Sequence, residues 1–307
     1  MNTAAGFVEL ETPGQTPGRK PAVRLAFWML KCAALWIVML IASIAASRVV
    51  GHLPPVPQQD GPLSIVQAVL LVDGAIAIVL AMVAAQARVR GVGLAVLLFV
   101  TLFCLQCGMM VIEALWFNNS VHMPPEQMTG WVTQALIVSA AVGATGALLF
   151  HPAPANAAAV PSNIFWRIAW LSAIYVLLYF IAGSFAWQSE VLRSYYANMH
   201  VSLGSLLALQ FVRGFLWAVI SLFIVSRLNG SLTRRAATMA LLFGVLTAGQ
   251  LLLPNALMPW PVRQVHLIEV GTSEFVYGLV ATFVLLAGAA RKPLSDTSAW
   301  RFITGHA

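Results

Sequence analysis

The sequence predicts an all-α integral membrane protein, with eight transmembrane helices arranged as a tandem parallel duplication of a four-helix unit. Three observations predict this. The 307-residue chain is 60% hydrophobic and only 9% charged, whereas a soluble domain carries about 25% charged residues. Its apolar residues gather into eight stretches, each long enough for the ~20 residues that cross ~30 Å of hydrocarbon. The later stretches also echo the earlier ones. Leu97, Leu98, Phe99, Leu102, Gln106, Trp116, Val121 and His122 recur 144 positions on as Leu241, Leu242, Phe243, Leu246, Gln250, Trp260, Val265 and His266. These eight identities fall within 26 positions, where shared apolarity alone gives ~2–3.

The spans are expected near 25–48, 63–87, 93–117, 127–150, 164–188, 203–227, 234–254 and 267–290. Proline and glycine punctuate the gaps, at Pro54, Pro55, Gly61, Pro62, Pro124, Pro125, Pro152, Pro161, Gly230, Pro254, Pro259 and Pro261. Proline starts helices readily and breaks their interiors, so these residues mark boundaries. Spans 2 and 6 extend the repeat: Leu63, Ala68, Val72, Gly74 and Val79 match Leu203, Ala208, Val212, Gly214 and Val219 at a spacing of 140. Spans 1 and 5 share only Phe27-Trp28 with Phe165-Trp166. The resulting organisation is a polar tail over 1–20, a first four-helix repeat over 21–151 and a linker over 152–163. A second repeat over 164–292 and a C-terminal tail over 293–307 complete it.

Orientation follows from the basic residues. Arg19, Lys20, Arg24, Arg88, Arg90, Arg167, Arg227, Arg234, Arg235, Arg291, Lys292 and Arg301 fall on one side, against Arg48, Arg193 and Arg263 on the other. The richer side is expected to be cytoplasmic, with both termini there, in a cell (inner) membrane. The net charge of +7 sits at helix ends, so it suits anionic lipid head groups and topology rather than nucleic acid. Cys32, Cys104 and Cys107 lie within spans and predict no disulfide framework. Cys104 and Cys107 read as small buried residues on one helix face.

Two groups of residues carry candidate chemistry. Asp73 and Arg213 occupy equivalent places in Val72-Asp73-Gly74 and Val212-Arg213-Gly214. A lone charge at that depth costs at least ~2.5–3.5 kcal/mol, so the two are expected to pair between the halves. Gln106, Gln210 and Gln250 are further polar residues near the midplane, with Gln210, Arg213 and Trp217 on one helical face. The second group lies toward the opposite side. His266, Glu269, Ser273 and Tyr277 form one helical stripe, with Glu274 one position off it. Glu126 preceded by His122, and Glu113 seven residues after Gln106, complete an outer vestibule.

First-turn acids are also ordinary capping groups, which suits Glu126 and Glu269. His122, His266 and Glu269 have the side chains to hold a divalent metal, although no closed metal motif is present. Four histidines on that side, His52, His122, His200 and His266, invite a haem reading, although all lie at helix ends. The polar stretch 190–200 is a candidate lid or a plain connector. The role that fits best is translocation or sensing of a small polar or charged solute through a cleft between the halves. The alternatives are a membrane enzyme acting on a lipid-linked or periplasmic substrate at the His/Glu site, and a structural assembly partner.

Overall fold

A computed structural model describes residues 21–50, 57–117, 124–155, 161–198, 201–255 and 258–287. Among these the architecture is helical with no strand. Eight helices are long and apolar enough to cross a membrane. They are span 1 Pro21–Val50, span 2 Ile65–Gln86, span 3 Val92–Trp116, span 4 Pro125–Leu149, span 5 Ile164–Ala186, span 6 Leu203–Val225, span 7 Leu232–Leu252 and span 8 Trp260–Leu286. A short helix, Glu190–Tyr195, lies between spans 5 and 6. The end holding Arg24, Arg88, Arg90, Arg167, Arg227, Arg234 and Arg235 is called the basic end, and the other the far end.

Local chemistry sets the helix starts. Ser64 caps span 2 in a reciprocal box: its hydroxyl accepts from the Gln67 backbone, and Gln67 Oε1 accepts from the Ser64 N–H. Ser202 and Ser231 cap spans 6 and 7 in the same sense. Prolines open spans 4 and 8. Span 8 begins seven residues before the expected 267, because Pro261 sits in the first turn, where its missing N–H costs nothing, instead of ending a loop. Arg263 and His266 are therefore helical. Span 3 is interrupted by a π-helical turn over Cys104–Gly108, and span 7 finishes in a 3₁₀ turn over Gly249–Leu252.

Span 1 packs on spans 2 and 4, and span 3 on span 4. Span 5 packs on spans 6 and 8, and span 7 on span 8. Small residues allow these approaches. A Cβ on Gly143 would lie 2.7 Å from the Ala95 carbonyl, one on Gly278 2.4 Å from the Met239 carbonyl, and one on Gly214 2.8 Å from the Ser172 carbonyl. Between the two sets, span 7 meets spans 2 and 3, and span 3 meets span 6. Gln250 Nε2 donates to the Gln106 carbonyl at 2.8 Å. At the basic end, Arg88 N–H donates to Arg227 O at 2.7 Å and Asn229 N–H to Gln86 O at 2.6 Å, around a bridge between Ala87 and Leu228. The core between the helices is Leu, Val, Ala and Met. Outward faces expose Leu30, Ile37, Ile41 and Ile44 on span 1, and Phe165, Trp170, Leu177 and Phe185 on span 5. Such a surface is stable only against lipid.

Candidate functional site in the second helical bundle

Arg213 lies ten residues into span 6, about 15 Å from its start at 1.5 Å per residue. Its Nη1 pairs with Glu113 Oε2 of span 3 at 3.3 Å. The guanidinium side chain is 13% exposed and the glutamate 45%, so the pair sits where the bundle opens toward the far end. One turn beyond Glu113, Trp116 Nε1 donates to Ser205 Oγ at 2.8 Å. These two contacts fix the register of span 3 against span 6. Arg213 also reaches Gln210 Oε1 at 3.5 Å and lies over the Tyr175 ring.

The expected Asp73–Arg213 pair is not formed. Asp73 is half-buried and has no ion pair or hydrogen bond among the described residues. Helix packing explains this. Gly74 faces Trp36 of span 1 and Val72 meets Gly249 of span 7, while Gly214 seats span 6 on Ser172 and Tyr175 of span 5. Gly74 and Gly214 therefore pack against different helices, span 1 and span 5, and Arg213 turns to the carboxylate that span 3 supplies.

Below the pair, Glu274 of span 8 is buried among Arg213, Tyr175 and Trp217. Tyr277, one turn deeper, is buried edge-on to Tyr175 and against Phe243. Six buried polar atoms here make no hydrogen bond of full geometry among the described residues: Gln210 Nε2, Arg213 Nε, Trp217 Nε1, Ser221 Oγ, Glu274 Oε2 and Tyr277 OH; Tyr175 and Trp217 stand beside Glu274, Ser221 beside Tyr277 and Tyr179 beside Gln210. All belong to spans 6 and 8. A buried polar group left bare costs about 1–3 kcal/mol, and these side chains stand close enough to one another to offset part of that cost.

Toward the far end, His266 Nδ1 donates to Glu269 Oε2 at 2.7 Å, and His266 Nε2 faces the Tyr196 hydroxyl at 3.0 Å. With Nδ1–H given to the carboxylate, a neutral ring presents Nε2 as the acceptor for the Tyr196 hydroxyl. Tyr196 follows the short helix, stacks on Trp187 and meets Tyr195 edge-on. Burial, then the neighbouring Tyr195 and the charges of Glu113 and Glu269, push its phenol well above the usual tyrosine range, so it stays protonated. The Glu269 Oε1 atom faces Gly183 of span 5.

The other expected site residues separate. Glu126 is exposed at the start of span 4 and has no partner among the described residues. Ser273 Oγ donates to the Glu269 carbonyl of its own helix. Gln106 and Gln250 meet each other at the contact between spans 3 and 7, away from Arg213. His52, His122 and His200 lie outside the described residues. Both ring nitrogens of His266 are engaged, and no group of three or more His, Cys, Asp or Glu able to hold a metal occurs among the described residues.

Three features escaped sequence reasoning. Asp60, before span 2, pairs with the fully buried Arg263 of span 8 at 2.9 Å and caps the Trp260 N–H. Arg263 also donates to the Leu253 carbonyl. The π turn carries no composition signal. Tyr175, which meets Tyr277 and Arg213, is indistinguishable in sequence from a lipid-facing residue.

A scan against protein-family models finds no match, and comparison with curated proteins and with solved structures finds none either.

Proposed function

We propose that the protein binds a small polar or charged solute in the bundle of spans 5, 6 and 8, where span 3 closes its side, and passes or senses it across the membrane. The observation that carries this reading is the buried polar cluster of Gln210, Arg213, Trp217 and Glu274 beside the Glu113–Arg213 pair, in which Gln210 Nε2, Arg213 Nε, Trp217 Nε1 and Glu274 Oε2 make no hydrogen bond of full geometry among the described residues. Gln210, Arg213 and Trp217 offer donors, and Glu274 offers an acceptor. A solute bearing both kinds of group, a zwitterion or an amide, answers that set. Tyr196, His266 and Glu269 stand at the far-end mouth, with the short helix as a lid.

The same reading supports two four-helix units of like orientation. The packing of spans 1–4 repeats in spans 5–8, and the Gly143–Ala95 approach recurs as Gly278–Met239, with Ala95 and Met239 144 residues apart. The contacts between units are reciprocal. Gln106 and Gln250 are counterparts, and the bonds Arg88→Arg227 and Asn229→Gln86 exchange under a shift of 141 residues. A pseudo-twofold axis along the membrane normal accounts for that pattern. Residues 21–151 and 164–292 are then the two units. The basic end faces the cytoplasm of an inner membrane by the charge asymmetry.

The test is a stabilisation screen of purified protein with amino acids, small amines and amides, followed by uptake of any hit into proteoliposomes. The expected hit raises the melting temperature of the wild type and not of Arg213→Gln or Glu274→Gln. A hit that stabilises both variants as well as the wild type counts against the site.

One arrangement favours a second reading, that of an enzyme: Glu269, His266 and Tyr196 have the connectivity of an acid–base relay. The raised Tyr196 phenol opposes a nucleophilic role and suits a hydrogen-bonded closure of the lid.

A further inference from the structure

At the basic end a crevice of about 270 Å³ opens between spans 1, 2 and 7, lined among others by Trp28, Met82, Gln86, Arg234 and Thr238. Gln86 and Arg234 close spans 2 and 7 at their basic ends. The crevice therefore lies at the depth of lipid head groups, as does Trp28. Most of the basic side chains around it are committed to protein: Arg88 Nε donates to Leu228 O, Arg227 to Phe223 O and Arg235 Nε to Gly230 O. Arg234, on the crevice lining, is not. Its guanidinium is exposed on the crevice and has no hydrogen bond or ion pair among the described residues.

The floor carries a second unsatisfied group. Gln86 is only 4% exposed, and its Nε2 donates to Thr238 Oγ1 at 2.7 Å and to the Met82 carbonyl at 3.2 Å. With both amide protons directed there, Oε1 is left buried and without a donor. A matching ligand brings an anion for Arg234, a hydrogen-bond donor for Gln86 Oε1 and apolar chains for Met82 and the neighbouring alanines.

We propose that this crevice is a binding site for an anionic phospholipid whose head group carries a hydroxyl, of the phosphatidylglycerol type. The phosphate sits on Arg234 beside the N-terminal turn of span 7, where backbone N–H groups and the helix dipole add to the attraction. A head-group hydroxyl donates to Gln86 Oε1. The acyl chains run down the apolar wall of spans 1 and 2. Phosphatidylcholine shares the phosphate and chains, but its choline cation offsets the attraction to Arg234 and it brings no donor, so the site discriminates against it on both counts.

The test is native mass spectrometry of the full-length protein released from micelles containing equal amounts of phosphatidylglycerol and phosphatidylcholine. One phosphatidylglycerol is expected to be retained with a preference of about tenfold, the scale of one hydrogen bond to a charged or buried group. The preference is expected to fall close to parity in Arg234→Gln and in Gln86→Leu, and to persist in Arg90→Gln, a charge at the same end outside the crevice. Should Gln86→Leu fail to fold, Arg234→Gln alone decides. No preference in the wild type, or one unchanged in Arg234→Gln, overturns the proposal. Displacement of the lipid by glycerol phosphate, the same head group without chains, overturns the lipid as ligand and leaves a free phosphoester in its place.

Discussion

At the scale of single residues, the decisive fact is which acid neutralises Arg213. A guanidinium at that depth is costly alone, and the sequence reading assigned it Asp73. The structure selects Glu113 at 3.3 Å, with Glu274 buried close by. A double-mutant cycle checks this. Arg213→Leu with Glu113→Gln is expected to be non-additive by about 1 kcal/mol, a modest value because the carboxylate is half-exposed and screened. Arg213→Leu with Asp73→Asn is expected to be additive within about 0.5 kcal/mol. Chemical denaturation in detergent measures both, and coupling of Arg213 to Asp73 but not to Glu113 would reverse the assignment. Sequence reasoning found that Arg213 is special because charge in hydrocarbon is costly wherever it occurs. It chose the wrong partner because equivalence in a repeat says which residues have matching surroundings, not which ones touch. Glu113 and Asp73 lie on different spans, and which carboxylate reaches Arg213 is set by how those spans pack.

At the scale of helices, glycine decides which faces meet. Gly278 and Gly143 let their spans close onto the Met239 and Ala95 carbonyls, where a Cβ would stand 2.4 and 2.7 Å away. Gly74 faces only the Trp36 ring at 3.7 Å. Gly278→Ala and Gly143→Ala are therefore expected to destabilise by about 1–3 kcal/mol, the range for overpacked contacts, while Gly74→Ala is tolerated. Equal losses at all three positions in thermal unfolding would remove close backbone approach as the reason for these glycines.

The short helix Glu190–Tyr195 supplies a second case. Tyr196 holds it down through one hydroxyl on His266 Nε2. Tyr196→Phe keeps the ring stacked on Trp187 and removes that bond, so hydrogen exchange at 190–198 is expected to quicken while the spans stay protected. Unchanged exchange would make the lid a matter of stacking alone. Helix number and length were legible from apolar runs and punctuation. The start of span 8 was not, because Pro261 means opposite things in a loop and in a first turn. The π turn of span 3 was invisible, although the Gln106 carbonyl within it accepts from Gln250 Nε2.

At the scale of the whole molecule, the question is whether two units are held by a seam or form one indivisible core. The contacts within spans 1–4 and within spans 5–8 far outweigh those between them. Yet the seam is specific. It holds the Gln250–Gln106 bond, the reciprocal backbone bonds around Ala87 and Leu228, the Glu113–Arg213 pair and the Trp116–Ser205 bond. The Asp60–Arg263 pair adds a clamp at the far end, with a fully buried guanidinium. If each set of four is a folding unit, the connection between Ala155 and Pro161 is covalently dispensable. The two halves, expressed as separate chains cut there, are then expected to insert independently and to co-purify. Asp60→Ala strands a buried charge and removes about 3–5 kcal/mol in the intact protein. In the split protein the same loss acts on association, so co-purification should fall by orders of magnitude while each half remains inserted. Halves that insert yet never associate would show that the covalent linker holds the seam. Halves that are degraded singly but rescued together would show that burial across the seam is part of each unit's own core.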